Sequence, residues 1–266
     1  MLFLIKLPLV LGAFIAVLLC LAFTCALFVT AHIFLRGKRP KEYKTIAQQM
    51  ALRIGTMHAL VVALVFSTLT GELKNLNNLS DAEAMSAANI YYILRNNQNE
   101  EAARLRSLIP IYLKTVIEKD WEELSRMPYK LPAWELIAKM QGINFDWKTT
   151  NSSDEMLKGY VFNNLNTMAD NRNKRAIEWQ APTLPPIFWV IAYLGYILTL
   201  VPYLSVELNK RRLFLVCGYA IMMGIMFYGI AVMDKPFLSR AIKPVSFEVM
   251  YNNISKDAPS SPLEMK

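Results

Sequence analysis

Residues 7–35 read LPLVLGAFIAVLLCLAFTCALFVTAHIFL, without one Asp, Glu, Lys or Arg, and then meet Arg36, Lys38 and Arg39. A helix needs about 20 apolar residues to cross the hydrocarbon layer of a membrane. This stretch therefore spans it from roughly Pro8 to Leu35, with length to spare for tilt. It is about twice as long as the core of a secretory signal. No small-residue cleavage pattern separates it from the basic stop, so a retained anchor helix is expected.

Outward from this block, apolar stretches recur. Arg36, Lys38, Arg39, Lys41 and Lys44 form a short basic loop broken by Pro40. A second span runs from about Gly55 to Leu69; it is shorter, and Thr56, His58, Ser67 and Thr68 lie in it, with Thr70 just beyond. A third runs from about Pro186 to Val206 behind a Pro185-Pro186 start signal, and a fourth from about Leu213 to Met233, ending before Asp234-Lys235-Pro236. These blocks account for a hydrophobic content of 54%, against about 45–50% in soluble chains. The net charge of +8 gathers beside them, while acids and bases nearly cancel from Glu72 to Gln180. Basic flanks of this kind meet anionic headgroups, so the bilayer is the expected partner and nucleic acid is not. The positive-inside rule puts the loops Arg36–Lys44 and Lys210–Arg212 in the cytoplasm, and the polar region with both termini on the other side.

The polar region between the second and third spans has helical periodicity and no strand alternation. Asp81 is a candidate N-cap ahead of Ala84, Ala88 and Tyr91; Leu105, Leu108, Tyr112, Val116 and Trp121 suggest a second helix containing Pro110; Leu136 to Met140 forms a short one stopped by Gly142; Ser152-Ser153-Asp154-Glu155 starts a long one reaching to about Trp179. The expectation is an all-α integral membrane protein with four transmembrane helices and a helical soluble domain inserted between the second and third. Its parts are 1–71 (spans one and two), 72–183 (soluble domain), 184–235 (spans three and four) and 236–266, a tail whose end around Asp257–Pro262 is expected to be disordered.

The second span carries the most functional information. Arg53, Thr56, Leu60, Ala63, Ser67, Thr70 and Lys74 recur at alternating spacings of three and four, so they share one helix face. That face is small or polar through the membrane and basic at both ends. Two explanations stand: close helix packing through small residues, or a pore lining, with Leu60 and Phe66 as constrictions and Arg53 and Lys74 setting the charge at the mouths in favour of anions. His58 is a buried neutral histidine or a pH gate.

Other chemistry is poorly served. Glu118, Asp120, Glu122 and Glu123 around Trp121 lack calcium-loop spacing and read as a solvated helix face. Cys20, Cys25 and Cys217 all lie in apolar blocks, which argues against a disulfide framework or a cysteine metal site. There is no phosphate-binding glycine loop, zinc-binding histidine pair or nucleophile elbow, and His32 and His58 both lie in or beside spans. No cofactor, metal or enzymatic activity is expected.

Three ordered blocks resemble the bestrophin-like membrane proteins of unknown function that are widespread in bacteria. They are Arg53-Ile-Gly-Thr-Met-His-Ala-Leu-Val-Val-Ala-Leu-Val-Phe66; Asp81-Ala-Glu-Ala84 with Ile90-Tyr-Tyr-Ile-Leu-Arg95 and Arg104 to Trp121; and Met233-Asp-Lys-Pro-Phe237 with Pro244-Val-Ser-Phe247. The resemblance implies a four-span helical protein of the bacterial inner membrane and a distant relation to bestrophins, which are pentameric anion channels. Bestrophins keep the domain between spans two and three in the cytosol, opposite to what the basic loops here indicate. Their calcium clasp is not recognisable, so no calcium site is carried over. The functional expectation is a homo-oligomeric ion channel favouring chloride, its pore lined by Thr56, Leu60, Ala63, Ser67 and Thr70. The alternative is a non-conducting membrane scaffold or sensor whose soluble domain binds a partner.

Overall fold

The computed structural model describes residues 2–34, 41–124, 132–180, 184–204 and 210–257. The elements are α1 (Leu2–Ile5), α2 (Leu9–Phe34), α3 (Lys41–Ile93), α4 (Glu100–Thr115), a π-helical turn (Val116–Asp120), α5 (Trp121–Leu124), α6 (Ala133–Asp146), α7 (Ser152–Gln180), α8 (Pro186–Leu204), α9 (Lys210–Asp234) and α10 (Val245–Asp257). No strand occurs among the described residues. The chain groups into two compact units, Met1–Leu73 with Pro182–Ala241 and Lys74–Ala181 with Ile242–Lys266. The Pro40 break, the basic residues Arg36 to Arg39, Pro128 and the stretch beyond Asp257 lie outside the described residues.

In the first unit α2, α3 and α9 are long and apolar enough to cross a membrane, and Pro186–Pro202 of α8 is a shorter apolar helix. Helix α2 lies along α9. At Gly224 a Cβ would fall 2.7 Å from Val17 Cα, so the two backbones meet where only glycine fits. Phe28, Ala192, Tyr196, Val216 and Phe227 pack together between α2, α8 and α9. Helix α9 ends at Asp234, whose carboxylate accepts the Leu184 N–H at 2.9 Å and ties that end to the approach of α8. The turn opened by Pro236 follows, with the Ser239 hydroxyl donating to the Val232 carbonyl at 2.8 Å. Phe237 in this turn is buried within the chain.

Helix α3 departs from the sequence reading. It runs unbroken through the polar stretch Asn75–Asp81, and Asp81 is not an N-cap but an exposed mid-helix residue whose carboxylate accepts the Ser246 hydroxyl. The polar letters there hide an inward stripe that never stops: Leu69, Leu73, Leu76, Ser80, Glu83, Ala87, Ile90 and Leu94 follow one another at alternating spacings of four and three, all buried but the half-buried Leu73.

The second unit closes a core from α4, α6, α7, α10 and the C-terminal part of α3, with Ile90, Ile109, Ile137, Leu165, Phe247 and Ile254 among its buried residues. Asn99 caps α4 by accepting the Glu101 N–H at 2.9 Å. Pro110 lies inside α4. Helix α6 runs through Gly142, which was expected to stop it, to Asp146. Asn151 caps α7 by accepting the Asp154 N–H at 2.8 Å. The segment after Pro244, taken from sequence as a tail, contains α10, which buries Phe247 and Ile254.

Candidate functional site

On α3 the residues Arg53, Thr56, Leu60, Ala63, Ser67, Thr70 and Lys74 are all exposed. Ala51, His58, Val62, Val65 and Leu69, on the other side of the helix, are buried. The small and hydroxyl-bearing stripe is therefore not the seam by which α3 packs inside its own chain. Large apolar side chains flank it: Leu52 and Phe66 on one side, Met57 and Leu64 on the other, and Leu60 within it is 64% exposed. The threonine hydroxyls are already engaged. Thr56 donates to the Leu52 carbonyl and Thr70 to the Phe66 carbonyl, each at 2.8 Å. Their protons are committed to the helix, and what they offer outward is oxygen lone pairs and methyl groups.

His58 lies away from the stripe, buried against α8. A Cβ on Gly195 would come within 2.3 Å of its Cδ2, so the ring rests on the α8 backbone where no side chain fits. Its Nε2 has no hydrogen-bond partner among the described residues.

The second unit holds a constellation that the sequence reading missed. Glu83 of α3, Tyr112 of α4, Asp120 of the π turn, and Arg172 and Arg175 of α7 are all buried. The Arg175 Nη2 donates to both Glu83 oxygens, at 2.7 and 3.0 Å, and the Tyr112 hydroxyl donates to Glu83 at 2.5 Å. Arg172 pairs with Asp120 and reaches Glu83 at 3.5 Å. Asp120 also accepts the Ala133 N–H at 3.2 Å, at the start of α6. Two guanidinium groups face two carboxylates, so the cluster is neutral overall. The Arg175 guanidinium lies 4.9 Å from the Trp121 ring and 5.5 Å from the Phe247 ring. Its Nε and Nη1 find no oxygen among the described residues, and contact with the aromatic rings stands in their place. Burial, and next the Glu83 charge, push the Tyr112 phenol well above its ordinary value, so it stays a donor. Burial also pushes the Asp120 carboxyl up, against the lowering pull of Arg172.

Asp120 thus corrects the reading of Glu118, Asp120, Glu122 and Glu123 as one solvated face. Glu118 and Glu122 are exposed and Glu123 is half-buried, but Asp120 is fully enclosed. The missed signal lies in spacing. Val161, Leu165, Met168, Arg172 and Arg175 form a single stripe at intervals of four and three, as do Ile109, Leu113, Val116 and Asp120. Each charge sits where the next core residue belongs.

All-helical described residues, with three helices long and apolar enough to cross a membrane and a second helical unit closed around paired charges, define a helical protein of membrane type. The chain belongs to the Bestrophin-like domain family, whose model matches residues 17–241. The resemblance carried by the three sequence blocks is thereby borne out. Among solved structures, a point mutant of a bacterial bestrophin homologue from Klebsiella pneumoniae shares the fold, with a TM-score of 0.58 and 12% identity over 92% of this chain and 98% of that one. No curated protein matched.

Proposed function

We propose that this chain is a multi-pass protein of the bacterial inner membrane that assembles with copies of itself into an anion-preferring ion channel, with the exposed α3 stripe lining the pore. The observation that carries this is the placement of Thr56, Leu60, Ala63, Ser67 and Thr70 on the face of α3 that its own chain leaves uncovered. Family membership agrees with it. A few apolar helices from one chain do not enclose a wet pore and stay packed, so the stripe needs further copies, with a pentamer as the analogy from bestrophins. Leu60 and Phe66 would narrow the passage, Arg53 and Lys74 would attract anions to its ends, and chloride is the favoured ion. His58, buried behind the stripe, would act as a pH gate only through α8 packing.

The committed threonine protons favour a second reading at the level of selectivity. A dehydrated anion needs donors, whereas lone pairs suit a cation. Ion flux through the purified full chain in liposomes, with chloride and potassium gradients imposed separately, decides between them. The expected result is chloride-driven flux that Ser67→Leu blocks or alters and that Arg53→Glu diminishes. Potassium-driven flux would transfer the reading to the cation. Absence of flux from folded oligomers across pH and calcium conditions would favour a scaffold or sensor whose polar unit binds a partner.

A further inference from the structure

We propose that a groove in the first unit seats one acyl chain of a bilayer phospholipid. The inference rests on the membrane reading above. The groove has a volume of about 410 Å³ and an almost wholly apolar wall, built by Leu19 and Phe23 of α2, Tyr193 and Ile197 of α8, Phe227 of α9 and Leu4 of α1. Two tyrosines contribute hydroxyls to its lining, and that of Tyr196 is already engaged, donating to the Cys20 carbonyl at 3.3 Å and sharing a hydrogen bond of 2.6 Å with Thr24. A cavity lined this way gives water too few partners to hold it and accepts hydrocarbon instead.

Position selects the chain over the headgroup. Leu19 and Phe23 sit midway along the Leu9–Thr30 stretch of α2 that is able to cross a membrane, which places the groove at hydrocarbon depth. Leu19, Phe23 and Tyr193 are themselves exposed, so the groove opens to the outside of the chain, where an acyl tail enters sideways. Recognition at that depth depends on the tail and is indifferent to headgroup charge.

The test uses the full chain in vesicles of phosphatidylcholine doped with a phosphatidylcholine carrying a diazirine at mid-chain, irradiated after transfer to detergent and mapped by peptide mass spectrometry. Adducts are expected on Leu19, Phe23, Tyr193 and Ile197. They persist when the doped lipid is phosphatidylglycerol. Leu19→Trp, which fills the groove from an exposed position, loses them, whereas Leu194→Trp, on an exposed part of α8 outside the groove, keeps them. Irradiation in the vesicles before transfer supplies the control, labelling the exposed Phe14, Leu18, Phe214 and Leu215. Labelling of those residues without groove adducts overturns the proposal, as does a groove signal untouched by Leu19→Trp; a second copy of the chain covering the groove would give the first of these patterns. Absence of label on every one of these residues in the vesicles removes the membrane reading itself.

Discussion

Glu83 receives hydrogen bonds from Arg175 and Tyr112 and an ion pair from Arg172, all without solvent. A buried ion pair is weak support for stability as a whole, because desolvation offsets the attraction, but removing one partner leaves a bare charge behind. Glu83→Ala is therefore expected to destabilise the second unit by about 3–5 kcal/mol, read as a lowered unfolding midpoint of the full chain in detergent. Tyr112→Phe removes one hydrogen bond to a charged group and should lower stability by about 1.5–3 kcal/mol. Gly195→Ala works by a different mechanism: its new Cβ would meet His58 Cδ2 at 2.3 Å. Such overpacking costs about 1–3 kcal/mol. A double-mutant cycle with His58→Ala should recover part of that loss, and full additivity would show that the ring is not what Gly195 accommodates.

At the scale of single helices, α10 shows how a short element can matter to a core. Phe247 is fully buried and faces both the Arg175 guanidinium and the Trp121 ring, the latter at 5.8 Å between centroids. Phe247→Ala is expected to destabilise by about 3–5 kcal/mol, with hydrogen exchange rising first along Val245–Asp257. On α3, Thr56→Val removes a hydroxyl bonded only within its own helix, so stability should change by no more than about 0.5 kcal/mol while ion flux changes if the stripe lines a pore. The apolar helices α2, α8 and α9 were legible as helices because a long apolar run bounded by basic residues or proline admits few alternatives, as at Leu35–Arg36. The continuity of α3 was not, because Asn77, Asn78, Ser80 and Asp81 carry the composition of a loop and cap while Leu76, Ser80 and Glu83 keep the helical beat. Tertiary packing overrode local preference there. The α3 stripe was legible as a helix face, since spacing alone fixes which residues share one. The buried charge cluster was not, since Arg172 and Arg175 read as solvent-facing until their register with Val161, Leu165 and Met168 is followed.

For the molecule as a whole, both units are built from separated pieces of chain: the first from Met1–Leu73 and Pro182–Ala241, the second from Lys74–Ala181 and Ile242–Lys266. Proposed self-association is checked by native mass spectrometry of the detergent-solubilised full chain, where a mass of several copies is expected and a monomer at all concentrations would remove the pore as drawn. The interleaving also sets an order of events during synthesis. Glu83, Asp120 and Arg175 emerge from the ribosome long before Phe247 and Ile254, which complete the same core. Between those moments the apolar helices α8 and α9 are made. The polar unit must therefore wait, unfinished and with a charge cluster not yet sealed, until the apolar segments have been delivered, and a ribosome stalled after Ala241 should display a nascent chain whose polar unit is still open to protease.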